Sequence, residues 1–210
     1  MMHYSRKKID QLQHVYRINL INSCSGYKSA NLLGSVSKDG ITNVAVFSSV
    51  THLGSNPPVL GFILRPTTVP RNTYKNIKQT RVFTINHVHE DILADAHHTS
   101  AKYPHEISEF DMTTLETEYK NGCIAPFVKG CPVQMKMRFK EEYYIKTNGV
   151  LHIIAEIEDL YIRNELVQED GFIDLSKGNV AAINGLDAYA VAKGNTRLEY
   201  QRPKKIFQMD

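Results

Sequence analysis

The sequence predicts a mainly β protein, built as an antiparallel barrel with short helical insertions. Apolar and polar residues alternate along two long runs, and glycine-containing turn dipeptides separate neighbouring runs. Only a few short segments favour helix. Long antiparallel strands with few helices are typical of barrels and sandwiches rather than of parallel α/β sheets.

The first predicted hairpin joins the runs 31–37 and 41–50 through Lys38-Asp39-Gly40. An Asp-Gly step favours a tight turn because glycine accepts the positive φ that the turn requires. Pro57-Pro58 then interrupts the pattern. Two further short apolar runs are predicted as strands, at Val59–Leu64 and at Arg81–Asn86.

The second hairpin has the clearest two-residue period. Apolar residues at Val133, Met135, Met137 and Phe139 alternate with polar and charged residues. The run 151–157 repeats this alternation, and Asn148-Gly149 before it predicts the connecting turn. Each strand should therefore bury one face and expose the other.

Helices are predicted at Asn72–Gln79, with Asn72 as the N-cap, and at Glu90–His98. The chain has no Pro/Gly/Ser-rich linker and no internal repeat, which favours one domain. We expect an N-terminal extension over residues 1–14, a single domain over 15–197 and an irregular, basic tail over 198–210.

Composition excludes several classes of protein. Hydrophobic residues make up 42% of the 210 residues, yet the chain has no apolar run of the ~18 residues that a membrane helix needs. The N-terminus lacks the apolar run of a signal peptide, so a cytoplasmic location is expected. The net charge of +3 is mild and concentrated near the chain ends, which does not favour nucleic-acid binding.

Cysteines and histidines give no metal or disulfide pattern. Cys24, Cys123 and Cys131 form no CxxC pair and are expected to be reduced thiols, with a Cys123–Cys131 redox pair as the less favoured alternative. Five histidines fall in one polar stretch without the spacing of a zinc site, so no metal is expected. They are His87, His89, His97, His98 and His105. His152 could face solvent or a pocket.

The segment Asn43–Thr73 is the most informative for function. A strand there ends in small polar residues, and a later loop carries two arginines and three threonines before a helix begins. A strand end of this kind lets backbone groups approach a planar heterocycle, while arginines and a helix N-terminus favour a phosphate. A flavin mononucleotide (FMN) site is consistent with these residues. A hairpin followed by a capped helix with surface arginines explains them equally simply. From these residues alone, the second interpretation is slightly preferred.

No Rossmann GxGxxG, P-loop or G-x-S-x-G motif is present. The ordered set of pieces instead resembles the flavin reductase-like family of FMN-binding split barrels, over roughly Val15 to Tyr189. The pieces are Gly34–Asn43, Phe47–Thr51, Asn56–Phe62, Thr67–Thr73, Val82–Asn86 and His152–Ile157, the last with Ala155 where the family commonly has glycine.

The resemblance implies three groups of cofactor-binding residues. Phe47, Ser48, Ser49, Val50 and Thr51 would contact the isoalloxazine, largely through the backbone. Arg65, Thr67, Thr68, Arg71, Asn72 and Thr73 would surround the phosphate. Ser100, Ala101 and Lys102 would form a loop near the cofactor.

The implied function is an NAD(P)H-dependent flavin oxidoreductase. NADH or NADPH would reduce FMN, which would pass electrons to an acceptor, and no catalytic side chain is required because the flavin carries the chemistry. The family also implies a homodimer with the flavin site at its interface. Three alternatives stay open: an FMN-binding electron carrier or sensor, a pyridoxamine-phosphate-oxidase-like or haem-degrading relative, and a barrel that has lost its cofactor.

Overall fold

The computed structural model describes residues 1–203 and is mainly β, as predicted. Seven strands form one antiparallel sheet in the order β3-β2-β6-β9-β10-β5-β4. These strands are β2 (Asn31–Val36), β3 (Thr42–Phe47), β4 (Thr51–Ser55), β5 (Pro58–Leu64), β6 (Val82–His87), β9 (Val133–Ile145) and β10 (Val150–Ile162). Two small sheets comprise β1 (Lys28–Ser29), β11 (Ala181–Asn184) and β12 (Ala188–Val191), and β7 (Thr117–Glu118) with β8 (Phe127–Val128).

The large sheet curls so that its two edges approach each other. The edge strands β3 and β4 are consecutive in the chain, linked by residues 48–50. Within that link, Ser49 Oγ donates to the Ile63 carbonyl of β5 at 3.2 Å and accepts from the Ile63 amide at 3.0 Å. One side chain thus bridges the opening of the barrel.

The barrel interior is filled by the apolar faces that the two-residue period predicted. Its buried residues are Leu33, Phe62, Leu64, Ile77, Phe83, Ile85, Val133, Met135, Met137, Phe139, Ile153 and Ala155. Full burial of a large apolar side chain stabilises the fold by about 1.5–3 kcal/mol. The predicted alternation along β9 and β10 is therefore confirmed.

Both predicted hairpin turns are present. Gly40 (φ +83°) lies between β2 and β3, and Gly149 (φ +73°) lies between β9 and β10. The strand predicted to reach residue 50 ends earlier, at Phe47, because the chain there leaves the β2 ladder and crosses to β4.

The outer face of β2 and β3 is covered by a second core. It comprises Ala30, Leu32, Val44, Val88, Ala96, Phe110, Leu115, Val128, Cys131, Ala181 and Ile183. The exposed edge of β3 is blocked as well, because the Val44 amide donates to Glu109 Oε2 at 3.0 Å. A free edge amide is thereby satisfied and removed as a pairing site.

Residues 1–203 contain four α-helices: α1 (Arg6–Asp10), α2 (His14–Cys24), α3 (Asn72–Thr80) and α4 (Leu93–His98). Short 3-10 helices cover Glu90–Ile92, Asn164–Leu166 and Leu175–Gly178. The helix predicted at 72–79 is confirmed, but the prediction of Asn72 as its N-cap is wrong. Arg71 holds the N-cap position with extended backbone (φ −130°, ψ 100°), and its side chain forms no capping bond.

Two features were not predicted. The N-terminal helices α1 and α2 contain no buried residue along their described lengths. The segment 181–191, for which no strand was predicted, forms a hairpin that pairs with β1. The predicted tail is exposed and without regular structure over 198–203, and its remainder, 204–210, lies outside the described residues. Among residues 1–203, no helix is long and apolar enough to cross a membrane.

Candidate functional site

The barrel opening brings the two main predicted halves of the site together. Ser49 is bonded to Ile63, two residues before Arg65, so the strand-end segment 48–51 lies beside the start of the arginine-containing loop. At the other end of that loop, Asn43 Nδ2 of β3 donates to Thr73 Oγ1 of α3 at 3.0 Å. The loop and the first turn of α3 therefore run alongside β3, from its end back to its start.

A groove of about 350 Å³ opens at the strand-end segment. Ser48, Ser49, Val50 and Thr51 form one wall, and the other wall is Tyr27, Lys28 and Ser29. The walls are joined by a hydrogen bond in which Ser29 Oγ donates to the Val50 carbonyl at 3.2 Å. The second wall was missed from the sequence, since a two-residue strand such as β1 has no periodicity to detect.

Side chains of the strand-end segment are largely used in contacts within the fold. The Phe47 ring packs edge-on against Phe62 at 5.3 Å, within the barrel interior. The Ser49 hydroxyl is used in both of its bonds to Ile63. What this segment offers to the groove is thus mainly backbone, together with the exposed Thr51.

At the other end of the candidate site, the loop brings an arginine to the N-terminus of α3. Arg71 Nε is buried and has no hydrogen-bond partner in the described structure. No side chain of the described chain caps the adjacent N-terminus of α3, which leaves its first amides free of a side-chain acceptor. A guanidinium beside free helix amides favours a bound anion, because helix dipole and charge act in the same direction.

The other residues predicted to surround the phosphate differ in how exposed they are to a ligand. Arg65, Thr67 and Thr68 are exposed, and Asn72 is half-buried in the first turn of α3. Thr73 is buried and holds the bond from Asn43. Thr73 therefore fixes α3 against β3 with its hydroxyl and has its amide to offer to a ligand.

The third predicted segment, Ser100–Lys102, is an exposed turn. In the described part of the chain, the Ser100 amide bonds the His97 carbonyl and the Ala101 amide bonds that of His98. These bonds tie the turn to the end of α4, which packs against the outer face of β3. Among the described residues, no hydrogen bond joins this turn to either of the other two segments.

The histidine and cysteine side chains form no metal centre among the described residues. His97 Nδ1 lies 3.2 Å from Tyr189 OH, and His98 Nε2 lies 2.6 Å from Tyr103 OH, so the two neighbouring rings engage different partners. All three cysteines are free thiols, as expected. Burial raises the pKa of Cys131 to about 12, which keeps it protonated and unreactive.

The fold is a split barrel with a groove at its opening and a buried arginine nitrogen in the residue that precedes α3. The flavin reductase like domain profile matches residues 25–177 of the chain. This match covers most of the sequence, and the chain belongs to the flavin reductase-like family.

Solved structures share the fold. A candidate flavin reductase with a split barrel domain from Shewanella frigidimarina NCIMB 400 is 44% identical, with a TM-score of 0.92 over 96% of this chain and 100% of that one. Flavoredoxin of Desulfovibrio vulgaris (Miyazaki F) is 20% identical, with a TM-score of 0.70 over 82% and 90% of the two chains. An FMN-binding protein from Thermus thermophilus is 14% identical, with a TM-score of 0.71 over 84% and 93%.

Proposed function

We propose that the protein binds FMN across the barrel opening and uses it to pass electrons from NADH or NADPH to an acceptor. The observation that carries the proposal is the buried, unpartnered Arg71 Nε beside the uncapped N-terminus of α3. An unpaired buried donor of a charged group is costly, and a phosphate would satisfy both it and the helix amides.

The residues present fit FMN at both ends. Arg71 and the N-terminus of α3 suit a dianionic phosphate, with Arg65, Thr67 and Thr68 available from the exposed loop. The groove formed by 48–51 and 27–29 offers backbone donors and acceptors to the edge of a planar ring. Family membership and the FMN-binding protein of the same fold support the choice of cofactor.

When bound, FMN supplies the hydride and electron chemistry. The chain's own residues bind and orient it. Arg71 and the first amides of α3 hold the phosphate, and Ser49 fixes the strand-end segment against β5 so that its backbone presents a rigid edge. No side chain is assigned a proton transfer, consistent with a site built mainly from backbone. The Ser100–Lys102 turn is proposed as a flanking loop on the α4 side.

Oxidoreductase activity is supported by the 44% identical candidate flavin reductase. An anaerobic spectrum of the FMN-loaded protein tests it. Stoichiometric NADH or NADPH should bleach the flavin band, and comparing initial rates identifies the preferred donor. A flavin band that neither nucleotide bleaches would contradict a reductase and would favour the second candidate, an electron carrier.

The carrier alternative rests on the shared fold with flavoredoxin. A carrier needs the same FMN site but no nicotinamide site. Reduction by dithionite but not by NADH or NADPH would distinguish it from a reductase.

We also propose that the protein is a homodimer in the cytoplasm. The strands β4 and β10 carry exposed apolar side chains, with Leu53 44% and Leu160 47% exposed. Such side chains would be covered by a second copy. Sedimentation should give twice the 23.9 kDa mass of one chain, and a monomer at micromolar concentration would contradict this.

A further inference from the structure

Two buried polar atoms lie unpartnered behind the wall of the groove. Asn31 Oδ1 and His87 Nδ1 are both buried and lack a hydrogen-bond partner among the described residues. Asn31 of β2 and His87 of β6 are directly opposite each other in the sheet. Directly paired residues point to the same face, with Cβ atoms about 4.5–5.5 Å apart.

That shared face is the barrel interior. Asn31 has the same parity as Leu33 in β2, and His87 has the same parity as Ile85 in β6, and both apolar residues belong to the inner core. Phe47, opposite Asn31 on the other neighbouring strand, also packs on that core. The two polar side chains therefore point to the same face of the sheet, at the end of the barrel and beside apolar core residues.

The Asn31 amide also connects this pair of side chains to the groove. Asn31 Nδ2 donates to Ser29 Oγ at 2.9 Å, and Ser29 Oγ donates in turn to the Val50 carbonyl at 3.2 Å. The Val50 carbonyl and the Thr51 amide belong to one planar peptide and point in opposite directions. Holding that carbonyl fixes the orientation of a peptide in the proposed flavin-binding wall.

We propose that Asn31 and His87 bind one buried water, which completes a hydrogen-bonded chain from the barrel interior to the Val50 peptide. His87 Nδ1–H donates to the water, the water donates to Asn31 Oδ1, Asn31 donates to Ser29, and Ser29 donates to Val50. All the bonds run in one direction, an arrangement in which each bond strengthens the next. A buried water with polar partners of this kind is an integral part of a fold.

The chain makes Ser29, Asn31 and His87 positioning residues for the ring end of the flavin site. It requires a neutral His87 with its proton on Nδ1. Burial, which lowers the pKa of His87 to about 4, maintains the neutral ring at physiological pH. The proposal rests on the proposed FMN function for its effect on the ligand, whereas the water and the tautomer are properties of the protein alone.

Ser29 provides the cleanest variants because its side chain is exposed. Ser29→Ala removes the hydroxyl, and Ser29→Thr keeps it. Ser23→Ala is a matched control, since Ser23 is also an exposed serine whose hydroxyl donates to a backbone carbonyl, that of Asn19 at 2.7 Å. Binding is measured by flavin fluorescence quenching, with FMN and with riboflavin, which lacks the phosphate.

Ser29→Ala should raise the Kd of both flavins by the same factor, about two- to tenfold, as expected for one neutral hydrogen bond. Ser29→Thr and Ser23→Ala should bind as the wild type. Equal binding by Ser29→Ala and wild type would overturn the positioning role. If the wild type bound neither flavin, the proposed function would be contradicted instead. The proposed water would then be tested on the apo protein.

The apo protein tests the water through the His87 ring. Nitrogen-15 spectra should show the Nδ1–H tautomer with slow solvent exchange, and the exposed His14 on α2 serves as an internal reference. An Nε2–H tautomer at His87, or a ring that protonates near pH 6.5, would overturn the water bridge.

Discussion

Replacement of Arg71 by alanine should weaken FMN binding selectively at the phosphate. The Arg71 Nε has no hydrogen-bond partner within residues 1–203, so a phosphate contact would be its main polar interaction. A charge-assisted hydrogen bond contributes about 1.5–3 kcal/mol. Since each 1.4 kcal/mol is a factor of ten, the Kd for FMN should rise roughly 10- to 150-fold.

The same variant should leave the apo protein intact. Removing a buried donor that has no partner breaks no hydrogen bond of the unliganded fold, so the free energy of unfolding should be unchanged or slightly higher. Urea titration without FMN measures this. Stability loss in the apo protein would mean that Arg71 has a structural partner instead.

Riboflavin separates the phosphate from the rest of the ligand. Arg71→Ala should bind riboflavin as the wild type does, because riboflavin has no phosphate. Lys75→Ala removes an equal charge from the exposed side of α3 and should change FMN binding little. Unchanged FMN affinity in Arg71→Ala, or equal losses for FMN and riboflavin, would refute the phosphate assignment.

Three further predictions concern the barrel itself. Gly34→Ala places a Cβ against the Pro126 carbonyl oxygen and should destabilise the protein by about 1–3 kcal/mol in urea titration, whereas Gly194→Ala, in open space, should not. Val50→Pro removes a backbone donor from the groove wall and should abolish FMN binding, so a folded variant that stays yellow would exclude this wall as the ring contact. The pKa of His87 near 4 means that only the unfolded chain gains a proton there between pH 6.5 and 4. This residue should therefore lower the stability by up to about 3 kcal/mol as the pH drops through that window, and the fall should be smaller by that amount in His87→Gln, where buried His89 still contributes.

The strands that build the barrel were predictable from local pattern. The alternation from Val133 to Phe139 predicts which face of β9 is buried, and the structure buries that face. The turns at Gly40 and Gly149 were equally predictable, since a positive φ strongly restricts which residues can occupy a turn position. These features depend on residues close together in sequence.

The second wall of the groove could not be predicted in this way. Lys28 and Ser29 form a strand only because they pair with Ile183 and Ala182, more than 150 residues later. The partner strand β11 is short and contains two alanines, which have little β propensity, and burial in the second core decides its conformation. Helices α1 and α2 were missed for a related reason, as they bury no residue and so show no apolar stripe.

The N-cap error at α3 has a functional interpretation. Asparagine is a strong N-cap, and the sequence therefore placed Asn72 there. In the structure the helix already begins at Asn72, so Arg71 occupies the N-cap position. The Arg71 side chain forms no capping hydrogen bond to the first helix amides. A ligand anion fits this position better than a self-capped helix would allow.

The most direct test of the account is a crystal structure of the protein with FMN. The account predicts a phosphate oxygen within hydrogen-bond distance of Arg71 Nε and of the first amides of α3, with the ring edge on the backbone of 48–51. FMN bound elsewhere, or a phosphate in solvent with Arg71 Nε still unpartnered, would contradict the proposed site.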